Sequence, residues 1–183
     1  MKELRTERLI IRPWSIEDLD DFYEYAKDDR VGPNAGWPVH ENKGQSRKIL
    51  ESFIQDEEVN AIVLREENKV IGSVGLHRIR NQGDLQDEQI KEIGYVLSPY
   101  YWGNGYVPEV VREVLRYGFE ELKLDRIWCM HFDFNERSKR VIEKCNFRYI
   151  KTEERRLSLI DKKVVNTLCY NMTKDEYFKS KIE

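Results

Sequence analysis

Long hydrophobic runs are absent from this 183-residue chain. None approaches the roughly 20 apolar residues that a membrane-spanning helix requires, so no membrane partner is expected. The opening stretch MKELRTERLIIRPW lacks the apolar core and small-residue cleavage site of a signal peptide. Cysteine is scarce. Cys129, Cys145 and Cys169 are odd in number, far apart and outside any CxxC pair or Cys/His cluster, which excludes a disulfide framework and leaves no metal site to expect. All three read as buried small hydrophobes, with the cytoplasm as the default location. A large excess of either charge is also missing. Lys and Arg total 31 against 34 Asp and Glu, for a net charge of −3. No basic face is offered to nucleic acid, while a cationic amine is tolerated as a substrate. What is present is 40% apolar and 36% charged residues, the balance of a soluble globular protein. The length fits one domain over residues 1–183.

Periodicity predicts a strand at 8–13, then a helix opened by Ser15 with Asp18 as its capping-box acid and Leu19, Phe22, Tyr23 and Ala26 on its apolar face. Residues 31–40 hold two Gly and two Pro and read as a loop. A second helix at 43–57 is expected to bury Ile49, Leu50, Phe53 and Ile54. Strands follow at 61–65, 70–77 and 90–97, with a polar loop at 81–89 and Ser98-Pro99 closing the third. A long helix at 106–123 carries a broad stripe of Val107, Val110, Val111, Val114, Leu115, Gly118, Phe119 and Leu122. Pro108 falls in its first turn, where a missing N–H costs nothing. A strand at 126–131, a short helix capped by Asn135, and strands at 147–156, 157–160 and 164–172 complete the set. The last two form a hairpin about residues 161–163, and Thr173 with Glu176 makes a capping box for a terminal helix. The order implies an α/β (α+β) chain, one mixed sheet with helices on its faces.

The segment Tyr101-Trp102-Gly103-Asn104-Gly105-Tyr106 lies where strand gives way to helix. Glycines at i and i+2 let the backbone bend and approach a ligand closely, and the next helix aims free N–H groups back at the bend. A P-loop would need Lys-Ser or Lys-Thr after the second glycine, and none follows. A dinucleotide fold would need a third glycine where Pro108 stands. The pyrophosphate loop of a coenzyme A site needs only these two glycines at this switch; a tight turn without ligand is the bland alternative. A strand stopped by Pro99 would leave Val96 and Leu97 main-chain groups to pair with an amide-bearing ligand, as pantetheine is. Asn135 offers a side-chain amide to the same cleft, or is only an N-cap.

With these residues the chain resembles the GNAT acetyltransferase superfamily, in the branch related to ribosomal-protein N-terminal acetyltransferases. RTERLIIRPW, EIGYVLSP, YYWGNGY and NERSKRVIEKCNF stand in that family's order and spacing. The resemblance implies the GNAT fold, a mostly antiparallel sheet with splayed central strands, and acetyl-CoA as cosubstrate. It implies coenzyme contacts from Tyr95, Val96, Leu97, Trp102, Gly103, Asn104, Gly105, Tyr106, Val107, Asn135 and Ser138. The family's polar lead residue is Tyr100 here, its usual thiolate-protonating Tyr is Ile142, and its Gly before Phe147 is Asn146. Ser138, one turn after Asn135, takes the thiolate-contacting role or is a plain surface serine.

The reaction so implied is direct attack of an amine on the thioester, with main-chain N–H near Val96 or Leu97 stabilising the oxyanion. Glu92 is the leading base, or a solvated strand carboxylate; His77 is weaker and His40 stays open. Trp37 is either a packed anchor or a substrate-facing ring, and with His77 it is assigned to the acceptor pocket. No Cys pairs with a nearby His, so no acyl-enzyme is implied. The acceptor is a protein N-terminus or a small amine. A non-catalytic acyl-CoA sensor is the alternative from another class. A homodimer is compatible with the sequence, which leaves oligomeric state open.

Overall fold

Alternating apolar residues build one eight-stranded sheet, seen in a computed structural model that describes residues 1–79 and 89–181. The strands are β1 (Leu4–Arg5), β2 (Leu9–Arg12), β3 (Val59–Leu64), β4 (Lys69–Arg78), β5 (Ile90–Leu97), β6 (Arg126–Phe132), β7 (Arg148–Leu157) and β8 (Lys163–Thr173). Their spatial order is β1-β2-β3-β4-β5-β6-β8-β7. Only β5 and β6 run parallel; every other neighbouring pair is antiparallel. The helices are α1 (Leu19–Ala26), α2 (Gly32–Ala35), α3 (Lys43–Asp56), α4 (Tyr106–Arg116), α5 (Glu136–Lys144) and α6 (Lys174–Lys179).

Each face of the sheet has its own core. On one, α4 and α5 bring Val110, Val111, Val114 and Ile142 onto Leu9, Ile62, Ile71, Ile93 and Ile127. On the other, α1 and α3 bring Phe22, Tyr25 and Leu50 onto Ala61, Val63 and Val70. Strand alternation therefore divides β5: Ile93, Tyr95 and Leu97 belong to the α4/α5 face, and Glu92, Gly94 and Val96 to the α1/α3 face. The free cysteines are all buried, as the sequence suggests.

Local chemistry explains the element ends. Ser15 N–H donates to Asp18 Oδ2 at 2.9 Å, the expected capping contact, and the same carboxylate takes two 2.7 Å bonds from Arg12. Thr173 caps α6 with Glu176 as its box partner. Asn146 sits just past α5 at φ 59°, the left-handed conformation that Asn tolerates in place of Gly.

Several expectations fail for identifiable reasons. The two-residue β1 is too short to show periodicity and went unforeseen. The 31–40 segment is not all loop, since α2 forms within it behind Pro33. Ile49 and Ile54 are each 38% exposed. The buried line of α3 is instead Ser46 and Leu50, a narrower stripe than four apolar residues implied. The 106–123 helix stops at Arg116 and widens into a π turn, Tyr117–Glu121. Leu122 N–H bonds Tyr117 O across this turn, and a Cβ on Gly118 would stand 2.6 Å from Ile127 Cδ1. Leu122 consequently turns outward. Residues 157–160 are not a separate strand: Leu157 ends β7, Leu159 is exposed, and β7 itself pairs with β8. The predicted 81–89 loop lies outside the described residues except for Gln89.

Replacing Asn146 by Ala forces a Cβ-bearing residue without a local side-chain hydrogen bond into the left-handed region, at a cost of about 1 kcal/mol. The denaturant midpoint should fall for Asn146→Ala and hold or rise for Asn146→Gly.

Candidate active site

The central parallel pair carries the geometry that matters. Pairing of β5 with β6 runs from Ile90–Arg126 to Ile93–Cys129 and stops there. Beyond it, β5 continues with β4 as far as Leu97, and β6 continues with β8 as far as Phe132. The strands thus diverge four residues before Leu97 ends, and the break is not set by Pro99 as the sequence suggested. Ser98 N–H bonds Ile71 O at 2.7 Å. By the alternation of an antiparallel ladder, Val96 directs its N–H and C=O to β4, and Tyr95 and Leu97 direct theirs into the split. The expectation that Val96 would be free for a ligand is corrected accordingly. The Leu97 carbonyl is also engaged, accepting from Trp102 Nε1 at 2.9 Å. What faces the split from β5 is the Tyr95 amide pair and the Leu97 N–H.

The glycine loop closes the wide end. Gly103 and Gly105 stand at φ 85° and 78°, and nothing lies within 4 Å of where a Gly103 Cβ would be. The glycines therefore serve backbone conformation and leave open space above the loop. Gly105 is the N-cap of α4, whose first turn presents its unpaired N–H groups there. The loop is held from the bend just before β2 by a clamp that the sequence did not reveal. Arg8 Nη1 donates to Asn104 O at 3.0 Å, and its guanidinium lies 4.6 Å from the Tyr106 ring centre. Arg8 in turn is fixed by Glu109, which accepts from Arg8 Nε at 2.8 Å, Arg8 N at 3.0 Å and Thr6 Oγ1 at 2.5 Å. Burial pushes the Glu109 carboxyl up, but these bonds outweigh it and hold the group below its ordinary value. The Arg137 guanidinium lies 4.2 Å from the Trp102 ring centre, and that of Arg30 5.9 Å from it. Val107 is buried and offers only main chain.

On the α5 side of the split, Tyr95 Oη lies 3.0 Å from Ser138 Oγ and 3.3 Å from the Ser138 carbonyl. Burial pushes the Tyr95 phenol well up, so it stays protonated. Ile142, at the usual Tyr position, is fully buried. Asn135 Oδ1 accepts from Ser138 N–H at 3.1 Å, while its Nδ2 donates to Asn34 O at 3.1 Å. Asn135 thus ties α2 to α5 with one bond from each end of its side-chain amide.

On the α1/α3 side, Glu92 and His77 are directly paired across β5 and β4. The His77 ring covers Gly75 and lies 3.5 Å from the place of a Gly94 Cβ, beside the first residue past the ladder's end. Its Nδ1 is 3.5 Å from Glu58 Oε2. Burial raises the Glu92 carboxyl, against the opposing pull of Arg155 and then His77. Trp37 packs over Gly32 and stands 5.1 Å from His40, half-buried at the roof of this side. His40 is removed from the base candidates because it is buried under the α1/α3 core and its Nδ1 is bonded to Ser46 Oγ at 2.8 Å. Among the described residues no group of His, Cys, Asp and Glu could hold a metal ion, and no helix is long and apolar enough to cross a membrane.

The raised Glu92 value makes a stability prediction. Its protonated form is favoured in the folded state, so its contribution is complete below the ordinary carboxylate value of 4.5 and is lost as pH rises through the raised folded value. Glu92→Gln should remove that decline from the stability–pH curve measured by denaturant titration. An unchanged slope would place Glu92 in water.

Residues 8–148 match the family model described as an acetyltransferase (GNAT) domain. Among similar curated proteins, the uncharacterized N-acetyltransferase YoaA of Bacillus subtilis is 31% identical over 150 residues, covering 79% of this chain and 82% of that one. A GNAT-family acetyltransferase structure from Bacillus anthracis superposes with a TM-score of 0.84 at 25% identity, over 96% of this chain and all of that one. The microcin self-immunity acetyltransferase MccE, solved with acetyl-CoA and AMP, shares the fold at a TM-score of 0.75 and 15% identity, over 92% of this chain and 93% of that one. The split sheet, its glycine loop and these likenesses agree, and the chain belongs to the GNAT family as an N-acetyltransferase.

Proposed function

We propose that residues 1–183 act as one domain that moves an acetyl group from acetyl-CoA to an amine at the vertex of the β5–β6 split. The observation that carries this is the end of the ladder at Ile93 and Cys129, which turns Tyr95 and Leu97 main-chain groups toward a ligand. Two features support the fit of acetyl-CoA: the open space over Gly103 and the free first-turn N–H groups of α4. The complex of MccE with acetyl-CoA on the same fold supports it further. Three buried, unbridged thiols support action in the reducing cytoplasm.

In this reading the Gly103–Gly105 backbone and the α4 N-terminus hold the pyrophosphate, with Arg8 fixing the loop's shape. The Leu97 N–H and the Tyr95 C=O pair with the pantetheine arm. The Tyr95 N–H, nearest the vertex and already oriented by β5, donates to the thioester oxygen as negative charge develops there. Glu92 accepts the amine proton, directly or through one water, and its raised value brings it nearer the working pH of a base. Ser138 donates its hydroxyl hydrogen bond to the departing thiolate. The Tyr95 phenol holds Ser138 Oγ in place and keeps its own proton. The protein N-terminus and the small amine are both compatible acceptors at this level of description.

Calorimetry with acetyl-CoA, followed by thiol release with an amine panel, tests the reading. Binding with turnover is expected. Binding with no turnover of any amine would turn the reading to an acyl-CoA sensor, and no binding would end it. Glu92→Gln should lower kcat by about 100-fold or more while leaving acetyl-CoA affinity within about twofold. Ser138→Ala should lower kcat more than it weakens binding; an equal rate would return Ser138 to the helix surface.

A further inference from the structure

Arg155 is a charged group on the acceptor side that the mechanism above leaves without a task. It lies on β7, yet its side chain crosses β8 and places Nη2 3.1 Å from Met130 Sδ on β6. Met130 is the first β6 residue past the end of the β5–β6 ladder. The guanidinium therefore stands at the vertex, across the split from His77 over Gly94. Register keeps it on the Glu92 side of the sheet: Glu92 pairs with Trp128, and Met130 follows two residues on.

Its contacts are poor for a guanidinium. A thioether is a weak acceptor. Among the described residues its ion pair is with Glu153 Oε1 at 3.6 Å, and Glu153 is held more closely by Lys151 at 2.7 Å. Among the described residues the same sheet face carries four further unmet side-chain atoms, on Arg126, Trp128, Thr167 and Asn171, and Trp128 and Asn171 stand opposite each other in register. Trp128 Nε1 is a buried donor without an acceptor, and Asn171 Oδ1 a buried acceptor without a donor. Donors short of oxygen thus stand beside acceptors short of N–H, on the same face as Glu92, the proposed base.

We infer that this corner recognises a zwitterionic acceptor, an α-amino acid whose carboxylate lies on Arg155 and whose amine faces Glu92. A carboxylate offers Arg155 a two-bond, charge-assisted contact in place of the thioether. The amine of an α-amino acid is separated from its carboxylate by one carbon, which suits two opposite charges set across a single vertex. A polyamine carries no oxygen for Arg155 or Trp128. A peptide N-terminus carries an amide there and no charge. The inference rests on the proposed acetyl transfer at the same vertex.

The test compares each of the twenty α-amino acids with its decarboxylated amine and its amide, by thiol release under saturating acetyl-CoA. At least one acid should exceed its own amine by 100-fold or more in kcat/KM, and its amide by tenfold or more. Arg155→Met should collapse that ratio to within about threefold, chiefly through KM for the acid, and Arg155→Lys should restore part of it. Amines or amides that match or exceed their acids, turnover of none of the acids, or an unchanged ratio in Arg155→Met would each overturn the zwitterion assignment while acetyl transfer stood. Failure of the wild type to bind acetyl-CoA by calorimetry would overturn the transfer reading as well, which separates the two failures.

Discussion

The early end of the β5–β6 ladder is the constraint on which the site depends. Two parallel strands share four paired positions and then part, each still secured along its far edge by β4 or β8. The cost of an open ladder in a buried sheet is unsatisfied main-chain polarity. The structure confines that cost to a few groups. Val96 turns to β4, and Trp102 covers the Leu97 carbonyl. The Tyr95 groups and the Leu97 N–H are left as the ligand-facing set. Opening the sheet also gives the vertex two sides of different chemistry, because Tyr95 and Glu92 project to opposite faces.

Around that vertex the parts are held by long-range contacts. The glycine loop is shaped from the N-terminal strand by Arg8, and Arg8 is fixed by Glu109 from the helix that the loop itself begins. The loop, the helix start and the first long strand are therefore one mechanical unit. On the far side, Asn135 links α5 to the α2 segment, so the roof over the acceptor face and the wall of the donor face share a tie. Arrangements of this kind place main-chain donors before any ligand arrives, which is where preorganised electrostatic stabilisation originates.

Much of this was legible in the sequence. The elements with strong period, such as β5 and the valine stripe of α4, appear where periodicity put them. The loop's glycines are identified by position relative to strand and helix. Ser15, Thr173 and Asn146 act at helix ends in the ways their side chains permit. The failures have physical reasons. A break in strand pairing depends on which edges a strand keeps, and Pro99 was a misleading local cue for it. Asn135 also makes structural bonds to residues 3 and 101 positions away in the chain, and the longer of these has no signal in local sequence. Arg155 sits in Glu153-Glu154-Arg155-Arg156, which along a strand looks like a solvated charge run. Only the antiparallel pairing of β7 with β8 brings it over Met130.

The most direct test follows the main-chain amides of β5 by NMR as coenzyme A is added to the isotopically labelled protein. The account predicts that the Tyr95 and Leu97 amide signals shift and gain protection from exchange, with Gly103 and Gly105 moving in the same titration. The Val96 amide, already turned to β4, should change little. Saturable coenzyme A binding that leaves Tyr95 and Leu97 unmoved, or that perturbs Val96 in their place, would contradict the assignment of the split as the donor slot.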